Sequence, residues 1–157
     1  MKTKFILALL STMMLCGCYA NMRLYPVKGA LAEQSPLPSF EAKITATGDI
    51  SVTLNDGEHF KGSWESVRRL DKADAASSAS GNAPKSEMAE VWDAVYGQGY
   101  FIAHVLGTYS HSRASIKGDR GTTLTVEFFN ESEGGEHPRP GKGVAKDSRG
   151  NIYKGVF

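Results

Sequence analysis

From Phe40 onward apolar and polar side chains alternate. Phe40, Ala42, Ile44 and Ala46 fall on one face and Glu41, Lys43, Thr45 and Thr47 on the other, which predicts a strand because successive side chains there point to opposite faces. Gly48-Asp49 reads as a turn, and Ile50, Val52 and Leu54 resume the period. Asn55-Asp56-Gly57 is a strong hairpin signal, since all three residue types accept positive φ. The chain returns through His59 to Trp64 with Phe60, Gly62 and Trp64 on one face, and residues 67–70 prolong that arm.

Residues 71–85 are rich in Ala, Ser, Gly, Asn and Pro and lack large apolar side chains. They bury too little surface to offset their ordering entropy and read as a mobile loop. Ser86 is placed to cap a helix whose apolar stripe is Met88, Val91, Trp92, Val95 and Tyr96, ended by Gly97-Gln98-Gly99. Residues 100–106 are almost wholly apolar and are expected to form a central strand, followed by a turn or bulge over 107–112. Further strands are expected over 113–117 and 122–130, the latter with Leu124, Val126 and Phe128 on one face, and 118–121 forms the turn between them. A loop spans 131–140, and 144–146 and 151–157 flank a turn at 147–150. In the last strand Tyr153 and Phe157 share the inward face, leaving Lys154 outside. These elements predict a mainly β fold, a small antiparallel sheet or partly open barrel, with one short helix packed on it.

The N-terminal stretch, residues 1–39, is different. Lys2 and Lys4 precede an uncharged, mostly apolar run over 5–15, too short for a membrane-spanning helix of about 20 residues and of signal-peptide length. Leu15-Cys16-Gly17-Cys18 then resembles the bacterial lipobox. The resemblance implies cleavage before Cys18, a diacylglyceryl thioether and acyl chains such as palmitate on that residue, and hence a membrane anchor. Cys16 departs from the small residue the family more often has there. Tyr19, not Asp, follows the anchor, which in this family favours the outer membrane. Residues 18–39 are expected to be the lipidated N-terminus and a tether. Pro26, Pro36 and Pro38 interrupt any helix, although Arg23-Leu24-Tyr25-Pro26-Val27 is apolar enough to dock as an edge segment instead. Residues 40–157 are the β-rich domain.

Loss of residues 1–17 would remove Lys2 and Lys4, leaving 16 of the 18 basic residues against 17 acidic ones. A chain so nearly neutral lacks the charge bias of nucleic-acid binders. Cys18 would then be the sole cysteine and its sulfur would carry lipid, which excludes an intrachain disulfide and a multi-cysteine metal site.

Gly57 to Trp64 and Gly150 to Phe157 share one pattern: Gly, two variable residues, an aromatic, Lys, Gly, one variable residue, an aromatic. A glycine between two aromatics on a strand face lets a neighbour come close. Residues 141–157 resemble one hairpin of a MORN repeat, without the tandem array. Over most of its length the chain resembles a family of proteobacterial lipoproteins, through Arg23 to Val27, Gly57 to Trp64, Trp92 to Leu106, Gly118 to Glu127 and Gly143 to Phe157. That resemblance implies location and domain extent and supplies no mechanism.

Catalytic signals are sparse. His104 and His111 are joined to His59 and His137 by no HExxH spacing. His104, in the apolar run, reads as a buried, hydrogen-bonded side chain. Ser110-His111-Ser112 sets hydroxyls beside an imidazole without a nucleophile elbow. Glu90 and Asp93 fall on the solvated side of the helix, and Gly141-Lys142-Gly143 is no P-loop. No catalytic, cofactor or metal site is expected. Arg139, Lys142, Lys146, Arg149 and Lys154 form a basic run interrupted by Asp147; it reads as a solvated hairpin face, or as a contact for lipid phosphates or peptidoglycan carboxylates. The expected function is a lipid-anchored envelope protein facing the periplasm, a non-enzymatic binding or structural module with an envelope protein, peptidoglycan or lipid as partner and no nucleic acid. The alternative is a small periplasmic hydrolase or enzyme inhibitor.

Overall fold

A computed structural model describes residues 19–67, 86–106, 111–129 and 141–157. Cys18, the signal segment, residues 68–70 of the expected arm, and the loops expected at 71–85 and 131–140 lie outside the described residues.

Among the described residues nine strands form one antiparallel sheet in the order β4-β3-β2-β1-β9-β8-β7-β6-β5. They are β1 Tyr19–Lys28, β2 Phe40–Thr45, β3 Asp49–Thr53, β4 His59–Ser63, β5 Glu65–Ser66, β6 His111–Lys117, β7 Thr123–Phe129, β8 Lys142–Asp147 and β9 Ile152–Val156. A 3₁₀ turn, Ala30–Glu33, follows β1. β5 continues from β4 just past Trp64 and pairs with β6, so the sheet curls until its two edges meet. The remaining seam between β4 and β6 is bridged at Phe60 and Gly118, and Asp119 N donates to His59 O at 3.0 Å. The mainly β architecture expected from the alternation is therefore present as a nearly closed barrel.

The interior is packed. Met22, Leu24, Phe40, Ile50, Phe60 and Tyr153 are among the buried side chains that fill it, and Trp64 and Phe157 pack against them, as expected for a barrel of about eight strands. Gly62 and Gly155 are among the glycines that admit interior neighbours. A Cβ on Gly62 would collide with Ile116 Cγ2, and one on Gly155 would lie 2.6 Å from Met22 Sδ. Both are the glycines that stand between aromatics in the repeated pattern.

Helix α1, Glu87–Tyr96, lies against the outside of the barrel. Ser86 Oγ accepts from Ala89 N at 3.2 Å, so the expected cap is formed. Met88, Val91 and Trp92 pack with Phe129, Val144 and Ile152 in a second apolar layer.

Three expectations are corrected. Residues 100–106 are not a central strand. They resume a helical path after Gly97, as a π-helical turn over Phe101–Val105, with Phe101 and Val105 buried and Ile102, Ala103 and His104 exposed. A short apolar run does not by itself separate strand from helix, and Asp93 Oδ1 fixes the helical choice by accepting from Phe101 N at 3.1 Å. His104 is thus exposed and not buried in a strand. Second, neither the tether nor the edge-segment reading holds for the start of the 18–39 stretch, because β1 is interior, paired to β2 through Tyr19↔Thr45 to Leu24↔Phe40 and to β9 through Arg23↔Val156. Pro26 is tolerated because the register shifts between Pro26 and Lys28, and a bulge is where a strand accepts proline. Third, β6 starts at His111, so this residue belongs to a strand and not to the expected turn.

Candidate functional site

The barrel has two ends. Tyr19, the β2–β3 turn, the start of β8 and the end of β9 lie at one; the β3–β4 turn, the β6–β7 turn and the β8–β9 turn lie at the other. At this second end the antiparallel hairpins bring three carboxylates around one guanidinium. Arg149 Nη1 donates to Asp56 Oδ2 at 2.8 Å, while its Nη2 lies 3.6 Å from Glu58 Oε2 and its Nε 3.8 Å from Asp147 Oδ2. The Arg149 hydrogen bond, aided by the Glu58 backbone N–H, holds the Asp56 carboxyl below its ordinary range, and the same bond to Asp56 raises the guanidinium further.

Asp147 is buried and saturated. Oδ1 accepts from Arg149 N and Asn151 N, both at 2.9 Å, and Oδ2 accepts from Asn151 Nδ2 at 2.8 Å and from the Tyr153 hydroxyl at 2.7 Å. Burial, then the Asp147 carboxylate, pushes the Tyr153 phenol far above its usual value, so it remains a donor. Glu58 is equally buried. Its Oε1 accepts from Thr122 N at 3.0 Å, and among the described residues Oε2 has no hydrogen bond, with Arg149 more distant at 3.6 Å. Gly118 leaves room for this carboxylate; a Cβ there would lie 2.8 Å from Glu58 Cδ. Beside the cluster opens a cleft of about 330 Å³, with Leu31, Phe40 and Leu54 as apolar walls and Gln34, Asp56 and Arg149 at its polar rim.

A second polar knot sits under α1. Glu127, on the outward face of β7 and wholly buried, accepts from Trp92 Nε1 at 2.8 Å, His111 Nε2 at 3.0 Å and Arg113 Nε at 2.6 Å. Burial alone would push this carboxyl up. The His111 hydrogen bond and charge, with Arg113 and Trp92, outweigh it and hold the group below its ordinary value. Accepting at Oε2, the carboxylate requires a proton on His111 Nε2. His111 is therefore committed to Glu127, Ser112 is buried, and Ser110 lies outside the described residues. Sequence reasoning did not single out Glu127, Glu58 or Asp147 as buried, and it placed Asp93 on the solvated side of the helix with Glu90, whereas Asp93 accepts from Phe101 N.

Beyond Trp92 the rings continue outward. Tyr96, Tyr100 and His104 stack in succession, with centroids 5.5 Å apart for Trp92–Tyr96, 4.8 Å for Tyr96–Tyr100 and 4.6 Å for Tyr100–His104. Lys154 Nζ stands 5.2 Å over Tyr96 and Lys142 Nζ 5.7 Å over Tyr100. Lys154 is thus half-buried on an aromatic face and not simply exposed. The basic run is divided by the fold: Lys146 pairs with Glu87, Arg149 with Asp56, and Lys142 and Lys154 lie on tyrosines. Arg139 is outside the described residues.

Among the described residues no three His, Cys, Asp or Glu side chains are placed to hold a metal, and no helix is long and apolar enough to cross a membrane. The fold and its surface define a packed, nearly closed β-barrel with an external helix and an end cleft. Comparison with family models, curated proteins and solved structures finds no match.

Proposed function

We propose that this chain is an envelope lipoprotein, akin to the proteobacterial lipoproteins it resembles, held to the outer membrane through Cys18 and working as a non-enzymatic binding module in the periplasm. The observation that carries the binding reading is the end cleft. Its apolar walls, Leu31, Phe40 and Leu54, adjoin a rim of amide and charged groups, and a mostly apolar hollow with a few polar groups is the usual form of a ligand site. Asp56 and Arg149 pair with one another at the rim, so a ligand entering the cleft meets amides and paired charges, which suits a polar segment of peptide or glycan. A hydrolytic reading would rest on His111 and Glu127, which are 2% and 0% exposed, and the cleft is at the other end of the barrel.

Two measurements test the proposal. Intact mass should show loss of residues 1–17 with acyl mass on Cys18, abolished by Cys18→Ser; an unmodified Cys18 thiol would remove the anchor. Whole-envelope cross-linking and pelleting with purified peptidoglycan should show a partner whose yield drops when Gln34→Trp fills the cleft. Gln34 is exposed, so the fold should tolerate the change, and capture indifferent to it would take the binding function away from the cleft.

A further inference from the structure

The outer face beside Tyr19 combines positive charge, aromatic rings and exposed apolar side chains. In β1, Tyr19, Arg23 and Tyr25 point outward. Register places Arg23 against Val156, Tyr25 against Lys154, and Lys142 against Val156. Lys43, outward on β2, stands opposite Asn21. Arg23, Lys43, Lys142 and Lys154 thus share one flank, with Glu41, opposite Arg23, as its acidic member. Tyr96 and Tyr100 support the two β8–β9 lysines from the helix side. Tyr19 is 63% exposed, Ile102 42% and Val156 40%.

We infer that this flank of β1, β8 and β9, with the end of α1 and the π turn, is a lipid-facing surface that reads anionic phospholipid headgroups with Arg23, Lys142 and Lys154 while Tyr19, Ile102 and Val156 enter the interface. The inference rests on the proposed lipidation of Cys18. β1 is hydrogen-bonded from Tyr19 on, so an acylated Cys18 leaves essentially no spacer. Arg23 follows Tyr19 by four residues, roughly 14 Å of strand at about 3.4 Å per residue, so a barrel leaning on this flank brings all three cations to the headgroups. Tyrosine at the interface and basic residues against anionic lipid are the two side-chain signals that supplement an acyl anchor. Of the described residues in the basic run, Lys142 and Lys154 lie on this surface, while Lys146 pairs with Glu87 and Arg149 with Asp56.

The full chain as processed in the cell would be reconstituted into vesicles of phosphatidylcholine, with or without phosphatidylglycerol. Each lysine's acetylation rate would be read by mass spectrometry against the rate in detergent. Lys142 and Lys154 should be protected about fivefold or more in the phosphatidylglycerol vesicles and less in the neutral ones. Lys61 and Lys117, exposed on β4 and β6, should label alike throughout. Arg23→Glu combined with Val156→Asp, both at exposed positions, should abolish the protection while the protein still floats with the vesicles. An anchored protein whose Lys142 and Lys154 label as fast as in detergent, or are equally protected in both vesicle types, would overturn the headgroup reading and leave the anchor. Flotation of a chain with unmodified Cys18, confined to phosphatidylglycerol vesicles, would remove the anchor and leave the flank. Absence of flotation altogether would remove both.

Discussion

Gly62 on β4 lies directly beneath the Cγ2 methyl of Ile116 on β6, too close to leave room for a Cβ on the glycine. The contact crosses the seam where the barrel is joined by few backbone hydrogen bonds. Gly62→Ala should therefore destabilise the fold by about 1–3 kcal/mol through overpacking. Ile116→Ala alone should cost about 2–5 kcal/mol as a core truncation. The double variant should fall clearly short of the sum, because the truncation vacates the space that the new methyl needs. Denaturant melts of the four proteins give the coupling, and strict additivity would show that the two side chains do not press on one another.

Tyr153 combines an interior ring with a hydroxyl donated to Asp147. Tyr153→Ala should cost about 3–5 kcal/mol. Tyr153→Phe keeps the ring and removes one of the four donors to Asp147, so a smaller loss of about 1–2 kcal/mol is expected. Lys154→Ala loses a contact with Tyr96 and should cost under about 1 kcal/mol. Chemical denaturation separates the three, and a neutral Tyr153→Ala would mean that the closing hairpin adds nothing to the core.

Glu127 dictates an acid limb. Its folded pKa is depressed, so its contribution is fully present above the unfolded carboxyl value of about 4.3 and is lost as pH falls through the lower folded value. Glu127→Gln should weaken the protein at neutral pH by about 2–3 kcal/mol, since three donors then face an uncharged amide, and should flatten stability below pH of about 4. Melting temperature against pH for the two proteins tests this; parallel curves would assign the acid limb to other carboxylates.

Gly118→Ala should act on the opposite rim. The added methyl would displace the buried Glu58 carboxylate from Thr122 N. Amide exchange at Thr122 and Asp119 should accelerate well beyond that of β7, because their partners, Glu58 and His59, open with the seam. Unchanged exchange at both would show that Glu58 does not close the barrel.

Much of the sheet was legible because its signal is local. The β2–β3–β4 meander follows from the alternation of Phe40 to Leu54 and the Asn55-Asp56-Gly57 turn, and α1 from the stripe ending at Tyr96. The repeated Gly-aromatic pattern foretold close approach at Gly62 and Gly155. β1 was obscured by Pro26, whose cost vanishes only at the register shift against β9. The π turn was obscured because all of 100–106 is apolar save His104, so neither period stands out. The buried charges were invisible for another reason. Glu127 occupies an ordinary outward position on β7, and it is buried only because α1, with Trp92, is laid over it. Arg149 likewise meets Asp56 from 93 positions away. Such partners are fixed by topology and leave no mark in local spacing.

β1 is zipped to β2 along one edge and to β9 along the other, so the first and last strands of the barrel must find each other before either is complete. A chain leaving the ribosome presents Arg23 long before Val156. Until that final strand arrives, β1 and β8 each keep an open edge and the core rings have no lid. Pairings between distant segments are slow to form, so closure is the late step of folding. Sealing of the interior therefore waits on the pairing of Arg23 with Val156.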